Sequence, residues 1–162
     1  MGLIVDVLTE AEIAALRGGY DRKRMVTDVR TTLEVAWPDA TPLVESVLQG
    51  FYEPRGKKWR MRPDVRERVV LALLANGAGQ PFDVAVHVYW AMMEGLGVQE
   101  VCDVLLLTAS YGGVARYTDN FKILGFTLGL LKGRVAAGVT DCSAIVAAIS
   151  AAFPASPMQV PR

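Results

Sequence analysis

An all-α fold is predicted for this chain of 162 residues. Two observations predict it. Apolar residues recur three and four positions apart between recognisable helix start and stop signals, and no stretch alternates apolar and polar residues between hairpin turns. The length fits a single domain, residues 1–162, that can bury a core without disulfides or a structural metal.

The elements follow in order. Thr9-Glu10-Ala11-Glu12 is a capping-box pattern, and Ile13 and Leu16 supply an apolar face until Gly18-Gly19 stops the helix. A more polar helix runs from Asp21 to Val35 with Met25, Val29 and Leu33, ending before Pro38. A third starts at Thr41-Pro42 and carries Leu43, Val44, Leu48 and Phe51. Pro54 to Met61 reads as a loop. Pro63 and Asp64 open a strong helix that continues to Asn76, stopped by Gly77-Ala78-Gly79, and the next runs from about Pro81 to Glu94 before Gly95-Leu96-Gly97. These two form an αα-hairpin. A further helix spans Val98 to about Ser110, with Gly112-Gly113 as its stop. Val114 to Gly133 is helical, and Gly125 and Gly129, four apart, permit close approach of another helix. Thr140-Asp141 starts a last, Ala-rich helix, and residues 154–162 read as a loose tail.

Composition narrows the function classes. Formal net charge is zero, and the only basic run, Arg55-Gly56-Lys57-Lys58-Trp59-Arg60-Met61-Arg62, reads as a solvated connection, so nucleic acid is not an expected partner. A hydrophobic fraction of 52% is high for a small monomer and points to subunit contacts, hence a homo-oligomer. Charged residues such as Arg116, Lys122, Lys132 and Arg134 interrupt the apolar stretches, which argues against a membrane span. The N-terminal residues show no secretory signal pattern, and Cys102 and Cys142 form no Cys-x-x-Cys pair. Both points suit a reduced, cytoplasmic protein with two buried thiols. One histidine and no cysteine cluster make a zinc or iron site unexpected.

That single histidine, His87, follows Asp83 by four residues, so a carboxylate and an imidazole share one helix face. Such a pair can orient the ring and choose its tautomer, as suits a group that trades protons near neutral pH. The same histidine also reads as a satisfied structural group. Arg66-Glu67 reads either as functional or as a plain ion pair, and Tyr89, Trp90, Met92 and Met93 read as core or subunit interface. Residues 1–60 either complete the bundle or cover a pocket entrance, with Trp37 and Trp59 as possible anchors.

Arg66-Glu67-Arg68-Val69-Val70-Leu71-Ala72, Phe82-Asp83-Val84-Ala85-Val86-His87, Gly97-Val98-Gln99-Glu100-Val101 and Tyr111-Gly112-Gly113 together resemble the carboxymuconolactone decarboxylase family, over about residues 60–125. The resemblance implies an AhpD-like helical bundle, oligomeric as a trimer or hexamer. In the family's alkylhydroperoxidase branch a Cys-x-x-Cys pair precedes the histidine, but Gln80 and Asp83 stand at those positions and supply no thiolate, which disfavours peroxidase chemistry. Phe82-Asp83 resembles the aromatic-acid pair of the decarboxylase-like branch, and Glu67 matches the glutamate of the preceding helix.

The resemblance implies acid/base chemistry on a small carboxylated or lactone substrate, without metal or organic cofactor. His87 is then the general acid/base and Asp83 or Glu67 orients it. Tyr111 donates a hydrogen bond, and Arg66 or Arg116 meets a substrate anion. A lactone isomerase, cyclase or hydrolase, or a non-catalytic small-molecule-binding member of the fold, are the alternatives.

Overall fold

The computed structural model describes residues 8–52, 61–77 and 79–155. The basic run, apart from Met61 and Arg62, lies outside the described residues, as do Trp59, Ala78 and most of the tail. Among the described residues the chain is all-helical: α1 (Glu10–Gly18), α2 (Arg22–Ala36), a 3₁₀ turn (Pro38–Ala40), α3 (Thr41–Phe51), α4 (Pro63–Asn76), α5 (Pro81–Met93), α6 (Val98–Gly112), α7 (Val114–Ala136) and α8 (Cys142–Ala152).

Local chemistry accounts for the helix starts. Thr9 and Glu12 form a reciprocal capping box, the Glu12 carboxylate accepting from the Thr9 backbone N–H at 2.7 Å. Asp21 and Asp141 cap α2 and α8 by accepting from the N–H groups of Arg24 and Ala144. Proline occupies the first turn of α3, α4 and α5. Two helices run past their expected ends. α6 continues through Tyr111 and Gly112, and α7 passes Gly133 to Ala136, because a glycine inside a helix costs only about 1 kcal/mol. The break between α6 and α7 comes instead at Gly113, whose φ of +85° an L side chain rarely adopts.

Helix α5 is the centre of the molecule. Phe82, Val84, Ala85, Val86, Val88, Tyr89, Trp90, Ala91 and Met92 are all buried, so the helix is apolar around most of its circumference, and α1, α4, α6, α7 and α8 pack against it. Tyr89, Trp90, Met92 and Met93 are therefore core, one of their two expected settings. Helix α2 packs on α3 and α8, while α4 packs on α5, α6 and α7. The link between α4 and α6 is reinforced by the Arg68–Glu100 ion pair, Glu100 also accepting from the Gly97 N–H at 2.9 Å.

The glycines differ in how crowded their surroundings are. Gly19 lies where a Cβ would come 2.0 Å from the Thr140 carbonyl oxygen, and its own carbonyl accepts from the Cys142 N–H. At Gly125 and Gly129, where close approach of a helix was expected, a Cβ would meet nothing within 4 Å among the described residues. Both cysteines are free and buried, Cys142 Sγ lying 3.8 Å from Met25 Sδ, and burial pushes both thiols above their ordinary range. Among the described residues no group of histidine, cysteine, aspartate and glutamate could hold a metal, and no helix is long and apolar enough to cross a membrane.

Candidate acid/base site

Helix α4 turns Arg66, Glu67, Leu71 and Ala75 into the core. Glu67 thus stands in a buried i, i+4 stripe where an apolar residue is usual, and an ionised carboxylate is tolerated there only with partners. It has two. Arg66 Nε donates to Oε1 at 3.0 Å, and Oε2 lies 2.9 Å from Nδ1 of His87 on α5. A carboxylate paired with a guanidinium is an acceptor, so Nδ1 of His87 is the donor in that contact. The Nε2 atom makes no hydrogen bond to the described residues and is the ring nitrogen left for chemistry.

Asp83, His87, Trp90 and Glu94 succeed one another at helical spacing along a single side of α5. Glu94, the C-terminal cap of α5, collects a second set of partners on one carboxylate oxygen: Tyr20 donates its hydroxyl at 2.8 Å and Trp90 its indole N–H at 3.3 Å. Arg22 and Arg66 approach the same oxygen at 3.7 and 3.9 Å. Arg66 therefore bridges two carboxylates, one on α4 and one at the end of α5. Its guanidinium also sits 4.6 Å from the centroid of the Tyr52 ring, a cation–π contact. Tyr52 stacks on Trp90 at 4.4 Å between centroids, and Trp90 stacks on His87 at 5.4 Å. Burial, and then the field of Glu67, holds the Tyr52 hydroxyl well above the usual phenol range. Burial and Glu94 do the same for Tyr20.

This assembly forms one wall of a cavity of about 540 Å³. Arg66, Asp83, His87, Tyr52 and Trp90 line that wall, and the remainder is aliphatic, supplied by α2, α3, α4 and α5, with Met61 just before α4. The N-terminal helices are accordingly part of the cavity, Val29 and Leu33 coming from α2 and Val44 and Leu48 from α3.

Of the sequence-derived candidates, His87, Glu67, Asp83 and Arg66 are brought together. Glu67, rather than Asp83, is bonded to the imidazole. The Asp83 carboxylate accepts from the Gln80 N–H at 3.2 Å, and burial raises it above the ordinary carboxylate range, against the opposing pull of that bond and of His87. Tyr111 and Arg116 do not join the cavity. The buried stripe of α6, Val101, Leu105 and Thr108, leads on to Gly112, so Tyr111 projects from its flank and is 86% exposed. Arg116 is exposed on α7 and donates to the carbonyl of Asn76, capping the end of α4 where the helix dipole favours a cation. Tyr20, Tyr52 and Glu94 escape the sequence reading. Only Glu94, seven residues after His87 on the same face, carried a positional signal.

Comparison of the chain with protein-family models, with curated proteins and with solved structures finds no match.

Proposed function

We propose that this chain is a cofactor-independent acid/base enzyme, an AhpD-like relative of the carboxymuconolactone decarboxylases that lacks the redox cysteine pair, acting on a small carboxylated or lactone substrate. The observation that carries the reading is the 2.9 Å contact between Nδ1 of His87 and the fully buried carboxylate of Glu67. It orients the ring from behind and leaves Nε2 as a base beside a cavity large enough for a small molecule. Arg66 balances the charge of Glu67, so the imidazole is held without an isolated buried anion. Asp83, one turn earlier, places a second carboxyl group on the same wall.

The chemistry that fits is relocation of a proton next to a carbonyl. Nε2 removes a proton from carbon, the electron pair moves onto the carbonyl oxygen as an enolate, and the imidazolium, which exchanges its proton with water, returns a proton at another carbon. Thiol peroxidase chemistry is disfavoured, since Gln80 and Asp83 occupy the cysteine positions and both thiols are buried and held protonated. Self-association belongs to the same proposal. Leu106, Leu107, Tyr111, Val114 and Phe126 are exposed on α6 and α7, a surface suited to contact between copies in a trimer or hexamer.

The test is conversion of α-angelica lactone to its conjugated isomer, followed by ultraviolet absorbance and by deuterium incorporation from heavy water. His87→Ala is expected to lower the rate by at least about 10²-fold. Equal rates in the variant and the parent overturn the role of His87. Saturable binding without any proton exchange favours the second reading, a non-catalytic binding protein, which the largely aliphatic cavity also suits.

A further inference from the structure

Resting on the acid/base reading above, we infer that the substrate is a neutral, mainly apolar molecule, an alkyl-substituted lactone or related cyclic carbonyl compound, and not a carboxylate. Charge bookkeeping at the polar wall is the first argument. The one described cation lining the cavity, Arg66, already lies 3.0 Å from Glu67 and 3.9 Å from Glu94. The remaining ionisable groups on the wall are His87, bonded through Nδ1, Asp83, a carboxyl group, and Tyr52, whose hydroxyl burial holds above the usual phenol range. A substrate carboxylate placed near Nε2 would face the Asp83 carboxyl group, while Arg66 and Arg22 are already engaged by Glu67 and Glu94. Like charges in a partly desolvated site repel strongly. A neutral carbonyl oxygen meets no such penalty.

The second argument is the rest of the lining. Val29, Leu33, Val44, Leu48, Val70 and Leu74 offer no hydrogen bond to a polar substrate body. Leu43 and Leu73, which also line the cavity, are each 67% exposed, so the apolar surface extends outward to the solvent-facing rim between α3 and α4. Exposed leucines continuous with an apolar cavity mark an entrance for an apolar ligand. At about 540 Å³ the cavity accommodates a ring and a short alkyl chain, with the carbonyl at His87 and the chain toward the rim. Because such a substrate has no carboxylate to lose, the reaction is proton relocation and not decarboxylation. Nε2 takes one proton and gives one back to the product, so no co-reactant is needed.

The experiment is calorimetric titration of the full chain with δ-decalactone and, separately, with its ring-opened hydroxy acid at neutral pH. The lactone is expected to bind at least tenfold more tightly than the acid. His87→Ala should leave lactone binding within about threefold of the parent, since the apolar walls carry it. Leu73→Ser, an exposed position that leaves the core intact, should weaken lactone binding threefold or more with an unchanged circular dichroism spectrum. Asp83→Asn should strengthen binding of the acid by threefold or more relative to that of the lactone. Equal or tighter binding of the acid to the parent overturns the inference, as does failure of the lactone to bind. Tight lactone binding with no proton exchange on either lactone supports the inference and overturns the acid/base reading instead.

Discussion

Glu67 and His87 are twenty residues apart in sequence and 2.9 Å apart in space, the carboxylate fully buried on α4 and the imidazole at a cavity wall on α5. The αα-hairpin makes this possible by laying α4 directly against α5. Arg66, next to Glu67 in the chain, completes the arrangement by supplying the compensating charge.

Removing the carboxylate charge should cost stability as well as activity. Glu67→Gln leaves the buried Arg66 guanidinium without its closest ionic partner, and breaking one member of a buried pair costs about 3–5 kcal/mol. Urea denaturation should show a lower midpoint with an unchanged slope. A loss under about 1 kcal/mol would contradict a buried, ionised pair.

Asp83 predicts a pH dependence with a definite sign. Burial raises its folded-state value above that of the unfolded chain, so the native state holds the proton more readily. Its favourable contribution is full below the unfolded value, about pH 4, and disappears as pH rises through the higher folded value. Asp83→Asn, which keeps an acceptor for the Gln80 N–H, should therefore gain stability relative to the parent between about pH 4 and pH 7. Melting temperatures across that range check it, and a difference that shrinks with rising pH refutes the sign.

The second carboxylate should matter through its partners. Tyr20→Phe removes the 2.8 Å hydrogen bond to Glu94 and should destabilise by about 1–2 kcal/mol. Because Tyr20 lies outside the cavity lining, the proton-exchange rate should fall far less than in His87→Ala. A matching collapse of both rates would show that Tyr20 does more than anchor Glu94.

Glycine substitutions should separate the crowded position from the open ones. Gly19→Ala drives a methyl to 2.0 Å from the Thr140 carbonyl and should destabilise by at least about 2 kcal/mol. Gly125→Ala meets open space inside α7 and should be neutral or stabilising by about 0.5–1 kcal/mol. Thermal unfolding of the two variants side by side is sufficient. If Gly125→Ala is strongly destabilising or changes the mass of the particle in light scattering, that face is covered by another copy.

Thiol titration tests the cysteine reading. Cys102 and Cys142 are buried and their thiols are held protonated, so both should react slowly with a disulfide reagent in the native state and fully after denaturation. Rapid native reaction of either one would reopen thiol chemistry.

Helical periodicity, caps and prolines lie within short stretches of chain, and so the order and bounds of the helices were legible: α1, α3, α4 and α5 start and stop within a residue or two of their expected positions. His87 was legible because it is the lone histidine, and Asp83 because one helical turn separates them. The choice between Asp83 and Glu67 as the imidazole's partner was not, since it depends on how α4 rotates against α5. Tyr111 and Arg116 show the same limit. A residue's place in a motif does not say which side of a helix faces the cavity, and here α6 turns Tyr111 to solvent while Arg116 caps α4.

The all-helical class and the run of elements are properties of local spacing, which a chain carries before it folds. The cavity is different. Its walls come from α2, α3, α4 and α5, and its polar side joins Tyr52, Arg66, Glu67, His87, Trp90 and Glu94 into one network linked onward to Tyr20. Those contacts arise from the mutual packing of helices, because burying the charged pair of α4 against the central helix leaves few arrangements in which every buried charge finds a partner.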